Sequence, residues 1–193
     1  MIIIMGINPL AHNRGLVAMS IGMIDLLKSH FPTEKLVIVP FYSYSIPQAS
    51  FFDERYKEDN NVKLIEISNN PIIFLLKILI RSYICVIWRA LKCIKVDISK
   101  ILLRDEILNA YIKADVIISH TAGDRLTDQR PYSYFFVVFH EYLIPIMLKK
   151  KIILSPQTIG PFNNPVTRAL GKFIFRNAQL ICVREEYSKE YLK

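Results

Sequence analysis

Short apolar runs and longer amphipathic stretches alternate along this chain. The runs at 1–6, 36–41, 62–67, 114–119, 152–154 and 179–183 predict strands; those at 1–6 and 114–119 are apolar enough to be buried, and 152–154, too short for a helix and too apolar for an exposed strand, reads as buried on both faces. Between them, 14–30, 97–112, 132–149 and 166–176 carry helical patterns; in the first, Val17, Ile21, Ile24 and Leu27 recur on one face. Strands alternating with helices predict an α/β fold: a doubly wound, mainly parallel sheet with helices on both faces. Pro40 ends the second strand, and Pro145 is expected to kink or divide the helix at 132–149. The aromatic run from Tyr134 to Phe139 in that helix is expected to bury against the sheet. From 42 to 61 no period is evident, and Tyr42, Tyr44, Phe51, Phe52 and Tyr56 read as packing over a sheet edge in preference to a mobile loop whose aromatic faces stack on a ligand.

Residues 71–96 depart from this pattern. The segment is mostly apolar and holds five basic residues, Lys77, Arg81, Arg89, Lys92 and Lys95, with no acid. At about 100° per residue these fall within an arc of roughly 120°. A spanning helix would place Lys77 and Arg81 deep in hydrocarbon, so a transmembrane reading is rejected. Two readings remain: a core helix with a basic solvated face, or an in-plane helix that lays its basic stripe on anionic headgroups.

The 193 residues leave room for one sizeable α/β domain, or two very small ones, with a core that needs no staples. Lysine and arginine outnumber acids by 25 to 17, which suggests an anionic substrate, an anionic lipid surface or nucleic acid. Nucleic acid is the weakest of these, because no aromatic RNA-binding motif, zinc-knuckle spacing or glycine-arginine tract occurs. Cys85, Cys93 and Cys182 lie in apolar surroundings without a C-x-x-C pair and read as reduced core thiols. Met1 runs straight into an apolar stretch without a basic leader, so a cytoplasmic protein is expected. His140-Glu141 does not continue into H-E-x-x-H, and no metal site is predicted.

Candidate chemistry follows the strands. In an open α/β sheet ligands bind beyond the carboxyl ends of the strands. There the sequence places Asn13-Arg14-Gly15, suited to capping a helix whose free N–H groups could hold an anion. It also places HTAGDRLTDQRPY, with His120, Gly123, Asp124, Arg125, Asp128 and Arg130. The segment KIILSPQTIGPFNNP follows, where Pro156 and Pro161 stiffen a loop offering Gln157, Thr158 and the backbone at Gly160. The last such segment is Arg184-Glu185-Glu186-Tyr187-Ser188.

PQTIGPF resembles a signature of the polysaccharide pyruvyl transferase family. N-x-G at Asn13–Gly15, G-D-x-x-x-D at Gly123–Asp128 and R-E-x-x-S at Arg184–Ser188 agree with it in the family's order. His120, Thr121 and Ala122 stand where the family often has glycines. The resemblance implies a Rossmann-like half of a two-domain GT-B-like protein: residues 1–193 as a single Rossmann-like domain, with the usual C-terminal domain absent. It implies transfer of a pyruvyl group from phosphoenolpyruvate to two sugar hydroxyls as a ketal, in cell-surface or exopolysaccharide biosynthesis. No cofactor is implied beyond that donor substrate.

On this reading Arg184 clamps the donor anion, Asp124 is the base or acceptor anchor, and His120 donates a proton. Asn13, Gly15, Gly123, Asp128, Gln157, Thr158, Gly160 and Ser188 position the ligands. The expected partners are phosphoenolpyruvate and a sugar or lipid-linked saccharide, with peripheral contact to the inner face of the membrane through 71–96 and no nucleic acid. Two alternatives stay open: a GT-B-type glycosyltransferase fragment, and a non-catalytic sugar- or partner-binding remnant. Neither D-x-D nor GxGxxG is present.

Overall fold

The computed structural model describes residues 1–7, 14–40, 55–56, 58–65, 67–68, 70–121 and 125–192. Its frame is a six-stranded, all-parallel sheet of β1 (Ile2–Met5), β2 (Leu36–Val39), β3 (Val62–Leu64), β4 (Val116–Ser119), β5 (Lys151–Gln157) and β6 (Leu180–Val183). Their spatial order is β3-β2-β1-β4-β5-β6, the doubly wound order whose direction reverses between β1 and β4. Ile2 to Met5 align with Leu36 to Val39 on one side and with Val116 to Ser119 on the other, so the β1, β2 and β4 ends are level. The fold class read from the apolar runs is the fold observed.

Alternation along each strand divides the core in two. Ile2, Ile4, Leu36 and Ile38 face α1 (Arg14–His30), whose Ile24 and Leu27 pack against them. Ile3, Met5, Ile117, Ile152 and Leu154 face a second layer made of α2 (Pro71–Cys93), α3 (Ser99–Leu102), α4 (Glu106–Lys113), α5 (Tyr132–Met147) and α6 (Pro165–Asn177). A short α7 (Glu186–Glu190) closes the chain. Tyr56 packs beside α1 and donates to Asp25 Oδ1 at 2.6 Å, while Tyr42, Tyr44, Phe51 and Phe52 lie outside the described residues.

Local chemistry sets the boundaries. Asn70 caps α2 by accepting from Ile72 N at 2.9 Å and Ile73 N at 3.2 Å, with Pro71 in the first turn. Asn164 and Pro165 repeat the device on α6. The single helix expected over 97–112 is two: Asp105 takes extended backbone, caps α4 through Leu108 N at 3.0 Å, and receives Arg81 Nε at 2.9 and 3.0 Å. Pro145 does not divide α5: it falls in the last turn, and the helix continues past it to Met147. Phe135 of the aromatic run is buried, whereas Phe136 is 45% exposed. Among the cysteines only Cys85 is a core thiol, its pKa pushed up to about 12 by burial; Cys93 is exposed and Cys182 half-buried.

The basic solvated face expected of α2 is not what the fold presents. Phe74, Ile78, Ser82, Cys85 and Trp88 point inward on the same side as Arg81, whose guanidinium is drawn to Asp105. The outward face of α2 is apolar.

Candidate functional site

The strand order places the crevice of this fold beyond the carboxyl ends of β1 and β4. Gly6 leaves β1 at φ +82°, a left-handed conformation in which a side chain is strained. A Cβ there would also lie 2.5 Å from Arg125 Nη1 and 3.1 Å from Thr121 Cγ2. The bare backbone of Gly6 is therefore what lets the loop after β4 fold across the end of β1.

That loop brings in a buried polar network. Arg125, 6% exposed, pairs with Glu141 of α5, which is 8% exposed. Burial pushes the Glu141 carboxyl up while the guanidinium pulls it down, and the Arg125 guanidinium remains charged. Ser119 Oγ lies 2.5 Å from the Tyr142 hydroxyl. Thr121 donates to Gln157 Oε1, and the Gln157 carboxamide also adjoins the Tyr142 hydroxyl. On the α1 side, His120 Nδ1 lies 2.9 Å from Ser155 Oγ, with the backbone of Met19 beside the ring. Burial lowers the His120 pKa, so the neutral imidazole prevails near pH 7.

Beyond the network, three loop segments are joined by backbone bonds. Gly160 N donates to Leu126 O at 2.7 Å and Asp128 N to Pro161 O at 3.1 Å, around a parallel bridge between Leu126 and Ile159. Ile159 N donates to Ser188 Oγ at 2.9 Å, and Arg184 N to Gln157 O at 3.3 Å. Thr158 and Ser188 each donate to one oxygen of Glu185, at 3.0 and 3.2 Å. From α6, Arg168 holds Phe162 O with Nε at 3.1 Å and Nη2 at 2.9 Å. The segments around 125–128, 157–161 and 184–188 thus form one wall at the carboxyl edge of the sheet.

The structure sorts the residues proposed from sequence. Arg184 stands at the end of β6 with a side chain 49% exposed, its Nε 3.6 Å from Glu185 Oε1. Thr158 is half-buried. Gln157 is fully buried as the last residue of β5, which continues through Ser155-Pro156 past a register irregularity. Gly160, at φ +81°, meets a protein group: a Cβ would lie 2.9 Å from the Tyr191 ring. Ser188 is fully buried. Asp128 accepts from Asn164 N at 2.7 Å and Thr167 Oγ1 at 3.1 Å, bracing the start of α6. Gly15 lies in the first turn of α1. Arg125, expected beside the other cations at the edge, is inside, and Arg130 lies over the Tyr134 ring at 4.9 Å. Asn13, Gly123 and Asp124 lie outside the described residues.

Sequence reasoning missed Thr121, Ser155, Glu141 and Tyr142. Glu141 did leave a signal. It is the one acid in the sixteen residues of a mostly apolar α5, and a buried acid needs a cation.

The fold and this wall define a doubly wound α/β domain whose strand-end loops form a polar edge, a class shared by many enzymes. The sequence model of the polysaccharide pyruvyl transferase family matches residues 13–193, and the chain belongs to that family. No curated protein and no solved structure matches it.

Proposed function

We propose that the chain takes part in pyruvyl transfer from phosphoenolpyruvate to a sugar, with the wall at 125–128, 157–161 and 184–188 as its ligand-contacting edge. Family membership supports the general activity. Arg184 carries the donor reading: a half-exposed guanidinium fixed by its own backbone to the PQTIGPF segment. Guanidinium grips carboxylate or phosphate through two parallel hydrogen bonds. Glu185, held in place by Thr158 and Ser188, neutralises Arg184 only weakly at 3.6 Å, which leaves the cation available to a stronger anion.

In the reaction, one sugar hydroxyl gives up its proton and its oxygen bonds to C2 of the donor, while the C2–C3 double bond becomes single and C3 takes up a proton. The second hydroxyl oxygen then bonds to C2 as the C2–O bond to phosphate breaks, and its proton leaves with or near the phosphate. A neutral His120 suits proton acceptance better than the donation read from sequence. Asp124 remains the candidate base or acceptor anchor.

Calorimetry with phosphoenolpyruvate tests the donor reading. Saturable binding that weakens roughly tenfold or more in Arg184→Ala, with the fold unchanged, is expected. Binding left intact in Arg184→Ala removes Arg184 from the donor site. Binding of a UDP-sugar in place of phosphoenolpyruvate would transfer the chain to the glycosyltransferase reading.

A further inference from the structure

α2 is 23 residues long and apolar enough to cross a membrane, yet one side of it is already committed. Phe74, Ile78, Cys85 and Trp88 are buried, and Arg81 is tied to Asp105. Removing the helix into a bilayer would break these contacts and expose the core. Among the described residues the opposite side lies open along most of its length, with the Tyr83 ring also 5.5 Å from that of His140. Ile72, Leu76, Ile80, Tyr83, Val86 and Ile87 are 37 to 67% exposed. Projected at about 100° per residue, these positions together with Ile73 span an arc of about 140° along most of the helix. Single exposed apolar residues need no explanation, whereas a continuous strip of this kind marks an interaction surface.

The charges at its borders say which kind. Lys77 lies about 40° beyond one edge of the strip and Arg89 about 60° beyond the other. Lys77 is exposed and Arg89 half-buried. Lys92, Lys95 and Lys100 are exposed around the carboxyl end of the helix, and no acid occurs in 71–96. A second copy docking strip to strip would set these cations against their own copies, in a chain with a formal net charge of +8. A layer of apolar chains beneath anionic headgroups complements both features: the strip enters the acyl boundary and the bordering cations reach the phosphates.

We propose that α2 is an in-plane membrane-docking helix, its Ile72-to-Ile87 face seated in an anionic bilayer. This reverses the orientation expected from sequence, where the basic stripe faced the lipid. The proposal is independent of the donor reading.

Flotation of the full chain with vesicles tests it, since protein aggregates sediment while vesicles rise. The chain should float with phosphatidylcholine vesicles containing roughly 30 mol% phosphatidylglycerol, and about tenfold less with phosphatidylcholine alone. Leu76→Gln/Ile80→Gln/Ile87→Gln should reduce flotation by about tenfold or more. Lys77→Gln/Arg89→Gln should reduce the preference for anionic vesicles. All three strip positions are exposed, so far-UV circular dichroism should not change. As a second readout, Ile80→Trp emission should shift to the blue on vesicle addition and be quenched by brominated acyl chains, against a background from buried Trp88. Failure to float, equal flotation of the triple glutamine variant, or equal binding to neutral vesicles would overturn the proposal. So would a dimer of the free chain that the triple variant dissociates, which would assign the strip to a second copy.

Discussion

Gly6 and Arg125 meet across the end of β1, where the missing side chain of one is the space taken by the guanidinium of the other. Gly6→Ala would combine a strained φ of +82° with displacement of a buried cation. The expected loss is about 2–4 kcal/mol of folding stability, measured by urea unfolding. An Ala variant as stable as the parent would show that Arg125 can move aside without cost.

The partner of that cation is Glu141. Glu141→Gln leaves the Arg125 charge buried beside a neutral amide, and the cost of breaking such a pair is about 3–5 kcal/mol. Arg125→Met/Glu141→Leu removes both charges and should be closer to the parent than Glu141→Gln. A double variant less stable than either single one would mean that the pair contributes more than its desolvation costs.

Ser188 is fully buried, accepting from Ile159 N and donating to Glu185. Ser188→Ala strands a buried amide, at a cost of about 1–3 kcal/mol. Hydrogen exchange at Ile159 and Gly160 should accelerate more than exchange in β1 does; uniform acceleration would place the damage in global stability.

Acid should weaken the fold through two histidines. Burial lowers the pKa of His120 and of His140, whose Nδ1 lies 2.8 Å from Ser82 Oγ. The unfolded chain takes up these protons below about pH 6.5, while the folded chain resists them. Their contribution is therefore complete above that pH and is lost as pH falls through the folded values. Glu141, pushed up by burial, acts in the opposite sense, so the comparison needs a variant. His140→Phe, in a pocket already formed with Tyr83, Phe136 and Phe139, should lessen the fall in stability between pH 7.5 and 5.5. An unchanged slope would remove His140 from the balance.

The sheet was legible because a strand buried on both faces leaves an apolar run that nothing else in a short segment resembles. Ile2 to Met5 and Val116 to Ser119 are such runs, and their parallel pairing follows from the helices between them. The polar network was not legible, since Thr121 with Gln157 and Arg125 with Glu141 are matched by folding across 36 and 16 positions. The outward face of α2 was hidden for a related reason. Periodicity separates an apolar side from a basic one, but only the docking of α5 and Asp105 decides which side turns inward. Asp105, just before α4, caps that helix and holds Arg81 at once, a double role that no local pattern announces.

The bridge between Leu126 and Ile159 has a thermodynamic meaning. Loops at a sheet edge ordinarily hold conformational freedom that a ligand must suppress. Here 126–128, 159–161 and 188 exchange hydrogen bonds with one another, so no segment opens without releasing its neighbours. Their ordering entropy is already lost during folding, and whatever settles against this edge encounters a surface set in advance.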